Sequence, residues 1–373
     1  MDLADQRKKI ISNIHESKFK FVIVSSGGGS NAIGSLLKVP GASNSILEAY
    51  IPYAKESLDF YLMKQPESYC SLDTTTRMAA RAYSAAKKID QKTNIEQLFG
   101  VAISATLITN YEKKGSHRFH IAVQTRDFSQ SISCILNKGQ RTREEEEELV
   151  TEFVIALISD CCGFEFKYPE IKEDVEHIQI PAQEGWADLM SEKIKFVTSC
   201  NQQPKLIFPG AFNPMHDGHV AMSELAYKEL NEEVFFEICI QNVDKPPLSY
   251  HQIKKTIDQF TDSKNWVLTK AGKFSDKAKL FPNSTFIIGA DTLLRIFDER
   301  FYSSRKDMLN QFDIFNKNNV NFLVFGRKHH DKFKTLSDVE IPELIKPRFK
   351  GLDEEIFRKD ISSTSIRLNK LDT

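Results

Sequence analysis

The sequence predicts an α/β fold in two domains, and three observations support this prediction. The chain has 373 residues, which favours two domains rather than one. Two distant segments, beginning at Phe21 and at Leu206, each start with a short apolar run and continue into a glycine-containing turn. A helical pattern follows each turn. The order strand, turn, helix opens α/β folds, which bind phosphate groups at the helix N-terminus.

In the first half, the apolar run 21–24 predicts a buried strand, and the stretch that ends at Lys38 predicts a helix. Residues 98–107 and 118–123 have the length and apolar content of further strands. Residues 143–158 predict a helix, because a heavily charged first turn precedes an apolar stretch and acidic residues suit a helix N-terminus.

In the second half, short apolar runs predict buried strands separated by segments of helical period, which is typical of a parallel sheet covered by helices. The strands are expected at 206–208, 234–240, 285–288 and 321–325, and a helix at 218–230. Residues 164–204 are polar and contain prolines, so we place the domain boundary there. The expected domains are 1–165 and 204–373, joined by a linker at 166–203.

The composition narrows the function. The chain carries 50 basic and 51 acidic residues, a balance that argues against duplex nucleic acid or an anionic membrane as a partner. No apolar run reaches the roughly 18–20 residues of a membrane span, and the N-terminus lacks a signal sequence. The six cysteines form no CxxC pair and no metal-ligand spacing, so we expect reduced thiols, a cytoplasmic location and no metal held by protein ligands alone.

The strongest motif is the ten-residue string GAFNPMHDGH at 210–219, which follows a predicted strand and opens a helix. Chance produces HxGH about 0.01 times in a chain of this composition. Two histidines three positions apart at a helix start lie on one face, so His216 and His219 can reach the same triphosphate. Gly218 allows a close backbone approach. Gly210 and Phe212 are expected to turn main-chain N–H groups towards a nucleotide.

A second motif, ISSTSIR, lies at 361–367. Hydroxyl side chains at a helix start leave free N–H groups that can bind an anion. Arg367 follows on the same side and can hold pyrophosphate with its forked guanidinium. Taken alone, the motif also fits an ordinary Ser/Thr helix cap beside an exposed arginine.

Together with the segment GADT at 289–292, the two motifs resemble the nicotinamide/nicotinate mononucleotide adenylyltransferases over residues 205–373. The resemblance implies a Rossmann-like nucleotidyltransferase fold that joins ATP to nicotinamide or nicotinate mononucleotide with Mg²⁺ as cofactor and releases pyrophosphate. It implies catalytic roles for His216, His219 and Arg367. The implied ATP-binding residues are Gly210, Ala211, Phe212, Asn213, Gly218, Gly289, Asp291, Ser363 and Thr364.

Two alternatives remain open at this point. Another nucleotidylyltransferase could act on a pantetheine, sugar or alcohol phosphate, because residues 242–248 occupy the substrate-recognition region with a pattern of their own. A non-catalytic nucleotide sensor is the other alternative. A sensor does not need both the HxGH pair and Arg367, and the presence of both therefore favours an enzyme. A homo-oligomer is compatible with either.

In the first half, residues 25–32 read SSGGGSNA after a strand, which fits either a dinucleotide-binding fingerprint or a plain turn. Further on, VPGAS at 39–43 and YIPYAKE at 50–56 resemble the C-terminal domain of CinA proteins over residues 15–160. This resemblance implies a nicotinamide-nucleotide amidase-like α/β domain.

The implied N-terminal pocket contains a serine nucleophile, a glycine turn for the substrate phosphate and a nearby tyrosine, namely Ser25 or Ser26, Gly27, Gly28, Gly29 and Tyr53. The chain departs from that family at the nucleophile segment and at its glycine-rich loop, replaced here by residues 103–109. We therefore expect residues 1–165 to fold alone and to bind a mononucleotide phosphate without efficient deamidation.

Overall fold

The computed structural model describes residues 3–241, 246–260, 264–329, 332–352 and 354–369. The chain divides into two compact units at Ser191, except that residues 246–254 pack with the first unit. Each unit contains one large sheet with helices. The predicted two-domain α/β fold class is therefore confirmed.

The elements of the first unit are, in chain order, α1 (Leu3–Glu16), β1 (Lys20–Gly27), α2 (Asn31–Lys38), β2 (Ile46–Tyr50), α3 (Lys55–Leu62), α4 (Leu72–Ile89), β3 (Leu98–Thr106), β4 (His117–Gln124), β5 (Phe128–Leu136), α5 (Arg143–Cys161), β6 (Val175–Pro181) and α6 (Trp186–Met190).

The first sheet has the strand order β2-β1-β3-β4-β5-β6. The strands β2, β1 and β3 run parallel, and the pairs from β3 to β6 are antiparallel. Alternate side chains of β1 enter two different cores, because successive residues of a strand point to opposite faces. Phe21 and Ile23 pack with α1, α2 and α5, whereas Val22 and Val24 pack with α3 and α4.

Local sequence explains where the longest helices begin. The side chain of Ser71 caps α4 by accepting a hydrogen bond from the N–H of Thr74. At α5, Thr142 and Glu145 cap each other's backbone N–H groups, and the acidic first turn lies at the positive end of the helix dipole.

The stretch 166–203, expected as a linker, forms secondary structure in both units. The strand β6 extends the first sheet, and Trp186 of α6 is buried. A later strand, β7 (Phe196–Thr198), belongs to the second sheet. The side chains of β6 are exposed or only partly buried, as expected at a sheet edge, and its sequence therefore carries a weak strand signal.

After β7, the elements are β8 (Leu206–Pro209), α7 (Asp217–Leu230), β9 (Val234–Cys239), α8 (Tyr250–Ile257), β10 (Asn265–Thr269), α9 (Phe274–Leu280), β11 (Thr285–Gly289), α10 (Ala290–Ile296), α11 (Arg305–Lys317), β12 (Asn321–Phe325), β13 (Arg327–His329), β14 (Lys332–Lys334), β15 (Phe349–Leu352) and α12 (Ser363–Asn369).

The second sheet has the order β15-β12-β11-β8-β9-β10-β7 and is parallel apart from β7. The helices α9, α10 and α11 cover one face through an apolar core that includes Ile207 and Phe286. On the other face, α7 contacts β9 and β11. The carboxyl ends of β8 and β11 each lead into a helix, the usual position of a ligand site in an open α/β sheet.

Residues 246–254 lie between β9 and β10 in sequence but pack within the first unit. Tyr250 is fully buried there, and its ring lies 5.5 Å from the ring of Trp186. Its N–H donates to the hydroxyl of Ser129 at 3.0 Å. The side-chain amide of Gln252 donates to the hydroxyl of Thr76 at 2.6 Å. The first unit therefore includes a segment that sequence order alone assigns to the second domain.

Within the described ranges, no helix combines the length and the hydrophobicity that crossing a bilayer requires.

Candidate functional site

The two motif histidines lie at the start of the 14-residue helix α7. His216 is the N-cap residue, in extended conformation, and its backbone N–H donates to Nδ1 of His219 at 3.3 Å. The two rings are stacked, with centroids 3.7 Å apart and planes inclined by 21°. The spacing HxGH therefore brings both imidazoles to one place, as predicted.

Burial keeps both rings neutral. Only 7% of His216 is exposed, and in the described part of the chain neither ring nitrogen has a hydrogen-bond partner. Burial and then the charge of Arg327 lower the pKa of His216 below its usual value of 6.5. Burial, followed by His216 and Arg327, lowers the pKa of His219 to about 3. The imidazoles are thus polar groups ready for an oxygen-rich ligand, because unpaired buried polar atoms cost free energy.

The loop before α7 differs in one respect from the expectation. The N–H of Gly210 donates to the carbonyl of Glu237 at 3.0 Å and so does not face a nucleotide. A Cβ at Gly210 would lie 2.5 Å from the ring of Phe212, so this glycine makes room for that ring. Phe212 is buried at a φ of +43°, and its ring meets that of His219 edge-on at 5.1 Å. Ala211 beside it is exposed.

The second motif contacts the first. The hydroxyl of Ser363, the first residue of α12, donates to the carbonyl of Pro214 at 2.8 Å. The guanidinium of Arg367 donates to the carbonyl of Asn213. These pairs are separated by 149 and 154 residues in sequence, so the fold joins the two motifs as expected. The side chain of Thr364 lies outside the described residues.

Gly218 has a packing role that the sequence did not predict. A Cβ there would lie 2.9 Å from Cγ2 of Ile361 and 3.0 Å from the ring of His216. Contacts this short force a neighbour to move, so a larger residue would displace either the ring or the second motif. Gly218 therefore allows the two motifs to meet as well as allowing a ligand to approach.

The third predicted segment lies where β11 ends. Gly289 is the N-cap of α10, and a Cβ on it would lie 2.3 Å from Oδ1 of Asp291 and 3.4 Å from Cδ of Arg327. Arg327, which follows β12, also donates to the carbonyl of Ile361 at 3.3 Å. The carboxylate of Asp291 is half-buried and can accept hydrogen bonds from sugar hydroxyls.

The sequence analysis did not select Arg327, although a usable signal existed. It stands at the carboxyl end of the strand next to β11, the edge where ligands bind in sheets of this kind. Its charge acts on both histidines. Arg327 thus supplies positive charge beside two neutral rings.

Of the substrate-recognition stretch 242–248, residues 242–245 lie outside the described residues. Among the described residues, no group of three or more His, Cys, Asp or Glu side chains could hold a metal ion.

In the first unit, both candidate nucleophiles donate to backbone carbonyls. The hydroxyl of Ser25, which is buried, donates to Gly28 at 3.1 Å, and that of Ser26 donates to Pro52 at 3.0 Å. A carbonyl acceptor of this kind does not remove the hydroxyl proton, which a serine nucleophile requires of its neighbour. Tyr53 is 70% exposed.

The glycine turn already holds an anion, the carboxylate of Glu147 on α5. Oε1 of Glu147 accepts hydrogen bonds from the N–H of Gly29 at 2.8 Å, from the N–H of Asn31 at 3.2 Å and from the hydroxyl of Ser30 at 3.3 Å. The N–H of Gly28 donates to the carbonyl of Ala105. Gly27 has a φ of +83°, and a Cβ there would lie 2.0 Å from the same carbonyl oxygen. The expectation of open phosphate donors at this turn is therefore wrong.

Among solved structures, the N-terminal part of the chain is similar to three bacterial proteins, which we describe by their titles. The competence/damage inducible protein CihA from Agrobacterium tumefaciens has 16% identity over 43% of this chain and 99% of that chain, with a TM-score of 0.34. A competence or damage-inducible protein from Enterobacter asburiae has 14% identity over 43% and 99% of the two chains, with a TM-score of 0.35. A competence-damaged protein (CinA) superfamily protein from Escherichia coli has 12% identity over 43% and 92%, with a TM-score of 0.34.

A comparison with curated protein sequences finds no match. The family model described as cytidylyltransferase-like matches residues 207–369, a range that contains both motifs, Gly289 and Asp291. Residues 207–369 are therefore a cytidylyltransferase-like domain of the HxGH nucleotidyltransferase superfamily, which supports a nucleotidyltransferase function for this part of the chain.

Proposed function

We propose that the second unit transfers an adenylyl group from ATP to nicotinamide or nicotinate mononucleotide. The observation that carries the proposal is the stacked, neutral pair His216 and His219 at the start of α7, in which the buried ring nitrogens of His216 have no hydrogen-bond partner among the described residues. The choice of ATP and of a pyridine mononucleotide rests on the resemblance of the HxGH, GADT and ISSTSIR segments to those adenylyltransferases.

In this reaction, a phosphate oxygen of the acceptor attacks the α-phosphorus of ATP and forms a new P–O bond. The bond from that phosphorus to the bridging oxygen of the β-phosphate breaks, and pyrophosphate leaves with the electron pair. Such a transfer needs alignment and charge stabilisation rather than a covalent intermediate. His216 and His219 would donate N–H groups to the phosphates, and the approaching negative charge would raise their pKa values.

Arg327 and Arg367 would balance the charge that builds up on the departing pyrophosphate. Asp291 would accept hydrogen bonds from the ribose of the nucleotide. Ser363 and Arg367 bond to loop carbonyls in this structure. We therefore expect bound phosphates to compete for these two side chains.

Mg²⁺ is the cofactor that this proposal implies. A site without a cluster of three protein ligands among the described residues fits an ion held chiefly by the phosphate oxygens, as Mg²⁺ often is. When bound, the ion would neutralise part of the triphosphate charge.

The test combines the full chain with Mg²⁺, either ATP or CTP, and a panel of acceptors. The panel contains nicotinamide and nicotinate mononucleotides, a pantetheine phosphate, a sugar phosphate and an alcohol phosphate. We expect pyrophosphate release with ATP and a pyridine mononucleotide, with the dinucleotide detected by mass spectrometry. Turnover only with another pair would assign a different nucleotidyltransferase activity. Binding without turnover across the panel would favour a sensor.

For the first unit, we propose no efficient amidase activity. Ser25 and Ser26 donate to carbonyls, and Glu147 occupies donors of the glycine turn. An ammonia-release assay with nicotinamide mononucleotide tests this proposal. Release that disappears in the Ser25→Ala, Ser26→Ala double variant would contradict it.

A further inference from the structure

Gln259, two residues after α8, bridges the loop that precedes the histidine pair. Its side-chain Nε2 donates to the carbonyl of Phe212 at 2.9 Å, and its Oε1 accepts from the N–H of Met215 at 2.8 Å. These partners lie 47 and 44 residues away in sequence. Because the donor faces a carbonyl and the acceptor faces an N–H, both polar ends of the amide are used and its orientation is determined.

The bridge spans the part of the loop that must be positioned for the histidines. Met215 directly precedes His216, and the ring of Phe212 contacts His219 edge-on at 5.1 Å. Phe260, the neighbour of Gln259, contacts the ring of Phe212 at 5.7 Å. Gln259 and Phe260 therefore hold the loop at both ends and from one side.

The other ties on this loop come from groups with a proposed role in catalysis. Arg367 holds the carbonyl of Asn213, and Ser363 holds that of Pro214. If phosphates draw these two side chains away, the loop loses both ties at the moment of reaction. Gln259 is uncharged and both of its polar ends are already bonded to the loop, so its bridge persists when a nucleotide is bound.

We propose that Gln259 is a positioning residue, which fixes loop 212–215 and thereby holds the imidazoles of His216 and His219 stacked and shielded from water. The catalytic consequence rests on the proposed nucleotidyltransferase function, whereas the effect on the histidine rings does not. Loss of the bridge is expected to admit water to the rings and to disorder their stacking.

The experiment compares Gln259→Met, which keeps the side-chain length without hydrogen bonds, with Gln259→Asn, which keeps the amide but cannot span the loop. Gln311→Met is the matched control, because Gln311 is also half-buried in the second unit and its amide bonds only to Asp307 on its own helix. Circular dichroism and thermal unfolding establish that each variant is folded.

The first measurement is an NMR titration of the histidine rings in the full chain without nucleotide. We expect the pKa of His219 to remain far below 6.5 in the wild type and in Gln311→Met. It should rise by about one unit or more in either folded Gln259 variant, because desolvation is the largest cause of the depression. Unchanged titration of both rings in a folded Gln259 variant would overturn the inference.

The second measurement is steady-state kinetics with the best acceptor. We expect kcat to fall up to about 100-fold in the Gln259 variants with little change in the KM for ATP, since misplaced groups cost rate more than binding. An equal loss in Gln311→Met, or a change in KM alone, would contradict a positioning role. If the wild type turns over no acceptor, the proposed function fails, and the histidine titration still decides the role of Gln259.

Discussion

At the scale of single residues, the site depends on two imidazoles from which burial has removed the charge. A nearby cation, Arg327, also disfavours a second positive charge, and each ring lowers the proton affinity of its neighbour. The rings can therefore approach to 3.7 Å without electrostatic repulsion. An incoming triphosphate reverses this balance, because negative charge favours protonation. The arrangement suits a group that stabilises charge only when the substrate is present.

We predict that His216→Ala and His219→Ala each lose turnover while the chain stays folded. A missing transition-state contact of this type costs about 3–4 kcal/mol, or roughly 10²–10³-fold in kcat. Steady-state kinetics with the best acceptor measures the loss, and thermal unfolding checks the fold. His177→Ala, a change at an exposed histidine of the first unit, is the control. A rate close to that of the wild type in either site variant would exclude a catalytic role for that ring.

We also predict that the pair makes stability depend on pH. The pKa of His219 is about 3 in the folded chain and near 6.5 when unfolded, so the unfolded state binds the proton more readily. The contribution is therefore present above pH 6.5 and is lost as the pH falls from 6.5 towards 3, by up to about 1.4 kcal/mol per pH unit. Urea unfolding at pH 7.5 and pH 5 should show a smaller loss for His219→Gln than for the wild type. His120 and His251 also have pKa values lowered to about 4 by burial, so only the difference between the two proteins is diagnostic. Equal pH dependence would count against a neutral, buried His219.

At the scale of elements, the two strand–turn–helix openings have different fates. At α7, the described residues place no carboxylate on the rings at the helix start, and the ring nitrogens of His216 have no hydrogen-bond partner among them. At α2, the carboxylate of Glu147 accepts from Gly29 and Asn31. Backbone N–H groups at a helix start attract any anion, whether a ligand or a side chain. The same local motif is thus open in one unit and filled by the protein in the other.

We predict that Glu147→Ala opens the glycine turn of the first unit to phosphate. Its carboxylate is the internal competitor for three donors, and its removal leaves them without that partner. Added inorganic phosphate should then shift the NMR amide signals of Gly29 and Asn31, which should barely respond in the wild type. Glu144→Ala, an exposed change in the first turn of the same helix, is the control. Equal shifts in the wild type would mean that Glu147 does not block the turn.

At the scale of the whole molecule, unit boundaries do not follow chain order. The first unit takes in β6, α6 and residues 246–254, all of which lie beyond residue 165. These segments supply an edge strand and two large buried rings, those of Trp186 and Tyr250. The sequence-based expectation that residues 1–165 fold alone is therefore revised.

We predict that the isolated segment 1–165 lacks a cooperative fold, since it leaves the pairing edge of β5 open and exposes the surfaces that Trp186 and Tyr250 cover. Amide dispersion in NMR spectra and urea unfolding test this expectation. In the full chain, Tyr250→Ala should destabilise the first unit by about 3–5 kcal/mol, as for other large buried aromatic residues. Tyr111→Ala, at an exposed tyrosine, is the control. Cooperative unfolding of 1–165 would show that these later segments are dispensable.

The sequence by itself determined the elements that open both units, the fold class and the location of the HxGH site. Apolar periodicity, turn chemistry and motif spacing are local properties, so β1, β8, α7 and β11 could be predicted from short windows. It did not predict β6, whose edge position leaves its side chains largely exposed and its pattern weak.

The tertiary structure alone decided which groups meet. Glu147 lies 118 residues from Gly29, and Arg367 lies 154 residues from Asn213. Gln259 reaches Phe212, and Tyr250 packs in a unit that its neighbours in sequence do not join. Each of these contacts depends on how distant segments pack, and no local window contains both partners. Whether a glycine turn is open or filled, and what holds a catalytic loop, are therefore properties of the folded chain.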